Sequence, residues 1–381
     1  MPIKILHIVG TGSSILRIAP IMRSLAHSAD GEQTLVHTGP HYDGSFLDQP
    51  LAALDLPAPD LDLGIGPGPD GRQTGRTMIA LEPIIQRMNP DWVVTVGDVN
   101  STLAAALVAA KLGVRVAHVE AGHRSHDRTA SGEVNRILTD RMGDALFASE
   151  RAACDNLRAE GIDPGRIHFV GNVMIDTLDR YRSRVAALAV HDSLDLRERE
   201  YLVATLHRPE NIDDPRRLDS LLVALAEAGF ECGAPVLLPL HPRTARNIRR
   251  FGLDSRLRAL VPLAPLGYLE FLSLMDHAGA VLTDSSGVQE ETTVLGVPCL
   301  TLRPVTDRPV TVERGTNQLV DDALECLAAQ VASALDAERR PFRPPLWDGR
   351  AADRIAAVLV RESGDDGRVG TGRERTAAAR S

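Results

Sequence analysis

Four short stretches gather residue types that can hold a polyanion and move a proton. The first is Thr283-Asp284-Ser285-Ser286-Gly287-Val288-Gln289-Glu290-Glu291, read between a strand and a helix. Small residues at such a junction let backbone N–H groups approach phosphate oxygens, and the helix dipole favours the negative charge. Glu291, about one turn in, is then placed to meet a ribose diol; the same run also reads as an ordinary Asp/Ser N-cap. The second stretch, Thr205-Leu206-His207-Arg208-Pro209-Glu210-Asn211, leaves a strand tip. His207 and Arg208 could contact a diphosphate, although a histidine there serves equally as a structural residue, and Pro209 ends the strand. The third is Gly97-Asp98-Val99-Asn100-Ser101-Thr102 and the fourth Val119-Glu120-Ala121-Gly122-His123-Arg124. Two acidic side chains, Asp98 and Glu120, at neighbouring strand tips fit general acid/base chemistry, with caps and salt bridges as the plain alternative.

Such tips need strands to carry them. Ile3 to Val9, Thr34 to Thr38, Asp91 to Asp98 and Val114 to Val119 read as strands separated by helix-length stretches. The pattern restarts after about residue 175 with Tyr201 to Leu206, Pro235 to Leu240, Ala259 to Leu263, Ala278 to Thr283 and Pro298 to Leu302. Alternating strands and helices predict right-handed βαβ units and parallel sheets. The fold class is therefore α/β, with two Rossmann-like domains, 1–175 and 176–361, facing a central cleft where ligands sit at the carboxyl ends of strands. Leu63 to Gln73 is rich in Gly and Pro and reads as a lid or a surface excursion. The segment 362–381 has almost no apolar content and reads as a disordered tail.

The bulk numbers narrow the function classes. The chain has 381 residues, which favours two domains over one. Hydrophobic residues make up 44% and aromatics only 3%, so the core must be aliphatic. The net charge of -9, from 51 acidic against 42 basic residues, argues against a nucleic-acid partner. No apolar run reaches the roughly 18–20 residues that span a bilayer, and Met1-Pro2-Ile3 enters a strand at once, so a cytoplasmic enzyme is expected. Cys154, Cys232, Cys299 and Cys326 lack CxxC spacing and read as reduced thiols.

Taken in order, these segments resemble the UDP-N-acetylglucosamine 2-epimerases of the bacterial non-hydrolysing type, over roughly residues 3 to 360. The matching stretches are Gly97-Asp98…Ser101-Thr102, His118 to Gly122, Asn135-Arg136…Asp140, Gly171-Asn172…Asp176, His207-Arg208…Asn211, Leu240-His241-Pro242, Asp284 to Glu291, and Asp307-Arg308-Pro309…Gly315-Thr316. The resemblance implies the GT-B arrangement, UDP held mainly by the second domain, and a homodimer working without metal or nicotinamide cofactor. It implies removal of the C2 proton with loss of UDP to leave a 2-acetamidoglucal, then return of UDP and of a proton to the opposite face. On that resemblance Asp98, Glu120, Glu133 and His207 are the candidate catalytic residues. Gly12, Arg17, His41, Arg136, Arg208, His241, Tyr268, Ser285, Ser286, Gly287, Glu291 and Arg308, again with His207, are the candidate contacts to UDP and the UDP-sugar.

The departures cluster on the sugar side. The family's Gly-Thr-Arg-Pro-Glu appears as Gly10-Thr11-Gly12-Ser13-Ser14, its following Lys is Arg17, and the first Glu of its Pro-Glu-Glu is Gly132. Glu133 survives, yet neighbouring helical positions point about 100° apart and do not exchange roles. The expected reaction is interconversion of UDP-GlcNAc and UDP-ManNAc. The alternatives are a hydrolysing 2-epimerase releasing UDP and ManNAc, a GT-B glycosyltransferase, and a weakly catalytic nucleotide-sugar binding protein.

Overall fold

Runs buried along their whole length, such as Trp92 to Val96, make strands covered on both sides, as a parallel sheet between helix layers requires. A computed structural model describes residues 2–28, 31–39, 51–320 and 324–364, and two such sheets organise them. The first contains β1 (Ile3–Val9), β2 (Gly31–His37), β3 (Leu61–Asp62), β4 (Trp92–Val96), β5 (Arg115–Val119), β6 (Ala145–Ala148) and β7 (Ile167–Phe169), in the order β3-β2-β1-β4-β5-β6-β7. The second contains β8 (Leu202–Thr205), β9 (Val236–Pro239), β10 (Val261–Leu263), β11 (Ala280–Thr283), β12 (Cys299–Thr301) and β13 (Asn317–Leu319), in the order β10-β9-β8-β11-β12-β13. The pairings in both sheets are parallel. This is the expected α/β class.

Strand order reverses between β1 and β4 in the first sheet and between β8 and β11 in the second. Loops at such a switch point diverge and leave a crevice at the carboxyl ends. Gly12 follows β1, Asp98 follows β4 and Glu120 follows β5; His207 follows β8 and Ser285 to Gly287 follow β11. Topology thus delivers the four chemistry-bearing stretches to strand tips beside the two crevices.

The halves are tied by two passages of the chain. The helix Val173–Leu188 packs on Gly12–Ser28 of the first half and on Tyr268–Asp276 and Ser286–Leu295 of the second. The chain then enters β8 through 189–200, and it returns through 337–350 to the last helix, Ala351–Gly364, which packs on Gly12–Ser28. Asp176 caps that helix, accepting from Ala351 N at 3.1 Å and Ala352 N at 2.7 Å. The largest apolar cluster accordingly mixes both halves, from Ile5 and Val94 to Leu272 and Val281.

Three expectations change. Glu362, Ser363 and Gly364, read as tail, belong to the last helix. Arg115 Nη1 donates to Glu362 O at 2.7 Å and Trp92 Nε1 to Ser363 Oγ at 3.0 Å, so tertiary partners extend the helix past its apolar stripe. The rest of that segment, 365–381, lies outside the described residues. The stretch 63–73 is not one loop: its first part stays beside β2, with Leu63 N bonded to His37 O and Ile65 N to Thr38 O, and a helix, Asp70–Met88, begins within it. Strands β3, β6, β7 and β13, of two to four residues, were not anticipated. Among the described residues no helix is long and apolar enough to cross a membrane.

Candidate active site

Gly97, at φ +72°, turns the chain out of β4 in a conformation that suits glycine, and Asp98 follows it. Asp98 is gripped from the helix Ser131–Met142: Arg136 Nη2 donates to its Oδ2 at 2.9 Å and Asn135 Nδ2 to its carbonyl at 3.0 Å. Burial works to raise the Asp98 carboxyl, but Arg136 and Arg208 outweigh it and hold it below the usual range. Glu120, at the tip of β5, has φ +66°, which a non-glycine residue adopts only when its surroundings impose it. It is buried, with Arg17 Nε donating to Oε1 at 2.5 Å and Arg308 Nη2 to Oε2 at 3.3 Å. Burial opposes its charge as well, and again the two guanidiniums win and lower it.

On the facing side, Asp284 leaves β11 fully buried and organises the β8 tip. It accepts from His207 N at 3.0 Å, Arg208 N at 3.0 Å and Asn211 Nδ2 at 3.2 Å, and its Oδ1 lies 2.7 Å from His207 Nδ1. Burial favours its neutral form, but His207 and these donors drive its carboxyl far down. The helix Ser286–Leu295 then starts from an extended Ser285 whose side chain makes no capping bond. Its first amides are therefore available to an anion. Guanidiniums flank them: Arg208 Nη2 donates to Ser286 Oγ at 3.0 Å, and Arg17 Nη2 lies 3.6 Å from where a Cβ on Gly287 would stand. Tyr268 OH donates to Glu291 Oε1 at 2.8 Å, and burial pushes that carboxyl up to about 8. His241 caps the helix Pro242–Phe251, its ring centroid 6.0 Å from that of His207; burial, then His207, lowers it to about 4.

A chain of ion pairs joins the two sides. Asp98 pairs with Arg136, Arg136 with Asp307 Oδ2 at 3.4 Å, Asp307 with Arg308 Nη1 at 2.8 Å, and Arg308 with Glu120 and Glu290. Asp307 Oδ1 also accepts from Ser286 Oγ at 2.8 Å, which links this chain to the helix start. His123 is locked into it, with Nδ1 3.0 Å from Asp307 O and Nε2 2.7 Å from Ser149 Oγ. Sequence reasoning missed Asp307, Glu290 and His123 as site residues. The available signal was their adjacency to Arg308, Glu291 and the Glu120 motif.

Not every candidate joins. Glu133, expected among the acid/base carboxylates, is turned to the 125–126 backbone: Ser125 N donates to its Oε2 at 2.9 Å and His126 N to its Oε1 at 3.1 Å. It holds a turn there, as its helical offset from position 132 requires. Gly12 is the first residue of Gly12–Ser28 and offers only backbone. His41 lies outside the described residues. At Gly132 an added Cβ would stand 2.7 Å from Asp98 Oδ2, so the Asp98 carboxylate occupies the room that a side chain at 132 would need.

Residues 23–360 match the family model described as UDP-N-acetylglucosamine 2-epimerase. The chain belongs to the UDP-N-acetylglucosamine 2-epimerase family. It is thereby an isomerase of the nucleotide-sugar 2-epimerase class. It is 39% identical to a UDP-N-acetylglucosamine 2-epimerase of Methanocaldococcus jannaschii, over 94% of this chain and 99% of the relative. It is 38% identical, over the same shares, to a UDP-2,3-diacetamido-2,3-dideoxy-D-glucuronate 2-epimerase of Pseudomonas aeruginosa. The M. jannaschii crystal structure in complex with UDP-GlcNAc and UDP superposes with a TM-score of 0.90 at 38% identity, covering 94% of this chain and 100% of that one. The Neisseria meningitidis enzyme bound to UDP-GlcNAc gives 0.83 at 25%, covering 94% and 100%. The architecture is GT-B.

Proposed function

We propose that this chain epimerises C2 of a UDP-2-acetamido sugar of the UDP-GlcNAc type, with the diphosphate at the start of Ser286–Leu295. The observation that carries the reading is the uncapped helix start flanked by Arg17 and Arg208, joined by ion pairs to Asp98 and Glu120. Arg208, His207 and the amides near Ser286 and Gly287 receive the phosphates, and Glu291 with Tyr268 meets the ribose. One carboxylate takes the C2 proton as the C1–O bond breaks, the bond electrons pass to the β-phosphate oxygen, and C1=C2 forms. UDP then returns to C1 while a proton is delivered to the opposite face of C2.

Both Asp98 and Glu120 are held as anions, a base-ready state. Glu120 is held by Arg17 and Arg308, and an incoming diphosphate competes for the Arg17 guanidinium, so substrate binding loosens one of the two contacts on that carboxylate. Two relatives of nearly equal identity act on different UDP-sugars by their names, and at position 132 the Asp98 carboxylate stands where a side chain would be. The sugar is therefore decided by assay of both. In D2O the epimerised product is expected to carry deuterium at C2, and Asp98→Asn and Glu120→Gln are each expected to lower that exchange by about 10²–10⁴-fold with UDP binding retained. Free UDP with unbound ManNAc would mean the hydrolysing outcome, and binding without exchange would sink the epimerase reading.

A homodimer, implied by the resemblance, belongs to the same proposal. Ile79, Val134 and Leu138 are exposed apolar side chains on the helices Asp70–Met88 and Ser131–Met142. Light scattering is expected to give twice the chain mass, falling towards one chain mass when these become polar.

A further inference from the structure

The segment joining the halves carries ionisable side chains that the reaction does not use. His191 lies in the short helix Val190–Ser193, Glu198 in the stretch leading to β8, and His277 just after Tyr268–Asp276. Each offers a ligand atom, and these atoms all lie within 4.8 Å of one another. The two imidazoles stack with centroids 4.1 Å apart and planes 21° apart. His277 Nδ1 lies 2.9 Å from the Ser273 carbonyl, which makes it the N–H donor and leaves the Nε2 lone pair facing Glu198 Oε1 at 3.3 Å. Either a proton or a metal ion must stand between that nitrogen and the carboxylate. His191 is buried, its Nε2 is 3.3 Å from Asp192 Oδ1, and its Nδ1 has no hydrogen-bond partner among the described residues. Buried polar atoms ordinarily find one. A divalent cation placed among these atoms would engage the Glu198 carboxylate, His277 Nε2 and a His191 nitrogen together.

We propose that His191, His277 and Glu198 bind Zn2+ or a similar divalent transition metal as a structural clip, separate from the epimerase chemistry. Two imidazole nitrogens and a carboxylate are an established zinc set, with water completing the tetrahedron. His277 already has the orientation that a ligating histidine takes from a carbonyl on its other nitrogen. Zinc–ligand bonds of about 2.0–2.1 Å need ligand atoms about 3.3 Å apart. His277 Nε2 and Glu198 Oε1 already have that separation, and a shift of the His191 ring towards them closes the rest. The segment is worth pinning: Ala189, Asp195 and Arg199, none a glycine, have φ of +41°, +54° and +65°. The clip fixes this strained segment against the second half.

The test uses the full chain, stripped with a chelator and dialysed, without nucleotide. Saturating Zn2+ is expected to raise Tm by roughly 5 °C. Glu198→Gln, an exposed change that leaves folding intact, and His277→Gln are expected to remove most of that rise. His207→Gln, which alters the other histidine pair, is expected to keep it. No rise in the parent protein, an equal rise in the Glu198 and His277 variants, or its loss in the His207 variant would each overturn the proposal.

Discussion

Position 132, in the helix Ser131–Met142, gives up a side chain, and a carboxylate from the β4 tip takes its space. The consequence is measurable. In Gly132→Ala the new methyl would stand 2.7 Å from Asp98 Oδ2, closer than real Cβ contacts allow, so Asp98 must swing away and loosen its bond to Arg136. C2 exchange is expected to fall about tenfold or more, a loss of roughly 1.4 kcal/mol in barrier terms, while UDP affinity holds. Unchanged exchange would remove Asp98 from the reaction. Gly132→Glu meets the same obstacle, so grafting a glutamate here displaces one carboxylate to add another. Sequence reading located Asp98, Glu120 and Gly132 by motif, but not that Asp98 fills the gap at 132, because contact across 34 positions of chain is set by the fold.

At the scale of elements, Asp284 is the piece that fixes the β8 tip beside β11. It receives two backbone amides, an asparagine and a histidine while fully buried. Asp284→Ala leaves those donors without their acceptor. Unfolding in urea is expected to show a loss of about 3–5 kcal/mol, with weaker UDP binding as the His207-Arg208 loop comes loose. Elements of this kind were legible because a strand, a small-residue turn and a helix follow one another in the chain. Asp307 and Glu290 stood inside matching stretches, but their pairing with Arg136 and Arg308 was not legible, because it is set by the fold. At Glu133 a motif survives while the carboxylate bonds the 125–126 backbone, an orientation that the motif alone does not give.

For the whole molecule, burial sets the response to pH. Burial lifts the carboxyls of Glu150 and Glu291 to about 8 from the usual 4.5. The folded chain therefore keeps two protons that the unfolded chain has released, and stability from these groups is lost as pH rises from about 4.5 to 8. Asp98, Glu120 and Asp307, held low by arginines, act in the other direction, and their contribution is lost as pH falls below about 4. Burial lowers His7 and His241 to about 4, which acts against Glu150 and Glu291 only below about pH 6.5. Chemical denaturation without nucleotide is therefore expected to give lower stability at pH 8 than at about pH 6.5, with the difference reduced in Glu150→Gln and in Glu291→Gln. A difference unchanged in both would mean that neither carboxyl holds its proton. The two-sheet plan was readable from alternating runs, whereas the return of the last helix was hidden by the polar composition around Glu362.

That return has a mechanical consequence. Because the polypeptide passes between the halves twice, at 189–200 and again at 337–350, the joint behaves like a door hung on two pins rather than a bead on a string. Swinging about the line through both pins is cheap, while twisting one half against the other would strain both strands of the connection. For the crevice to widen along that swing, the Arg308–Glu120 pair, which spans the two halves, must part.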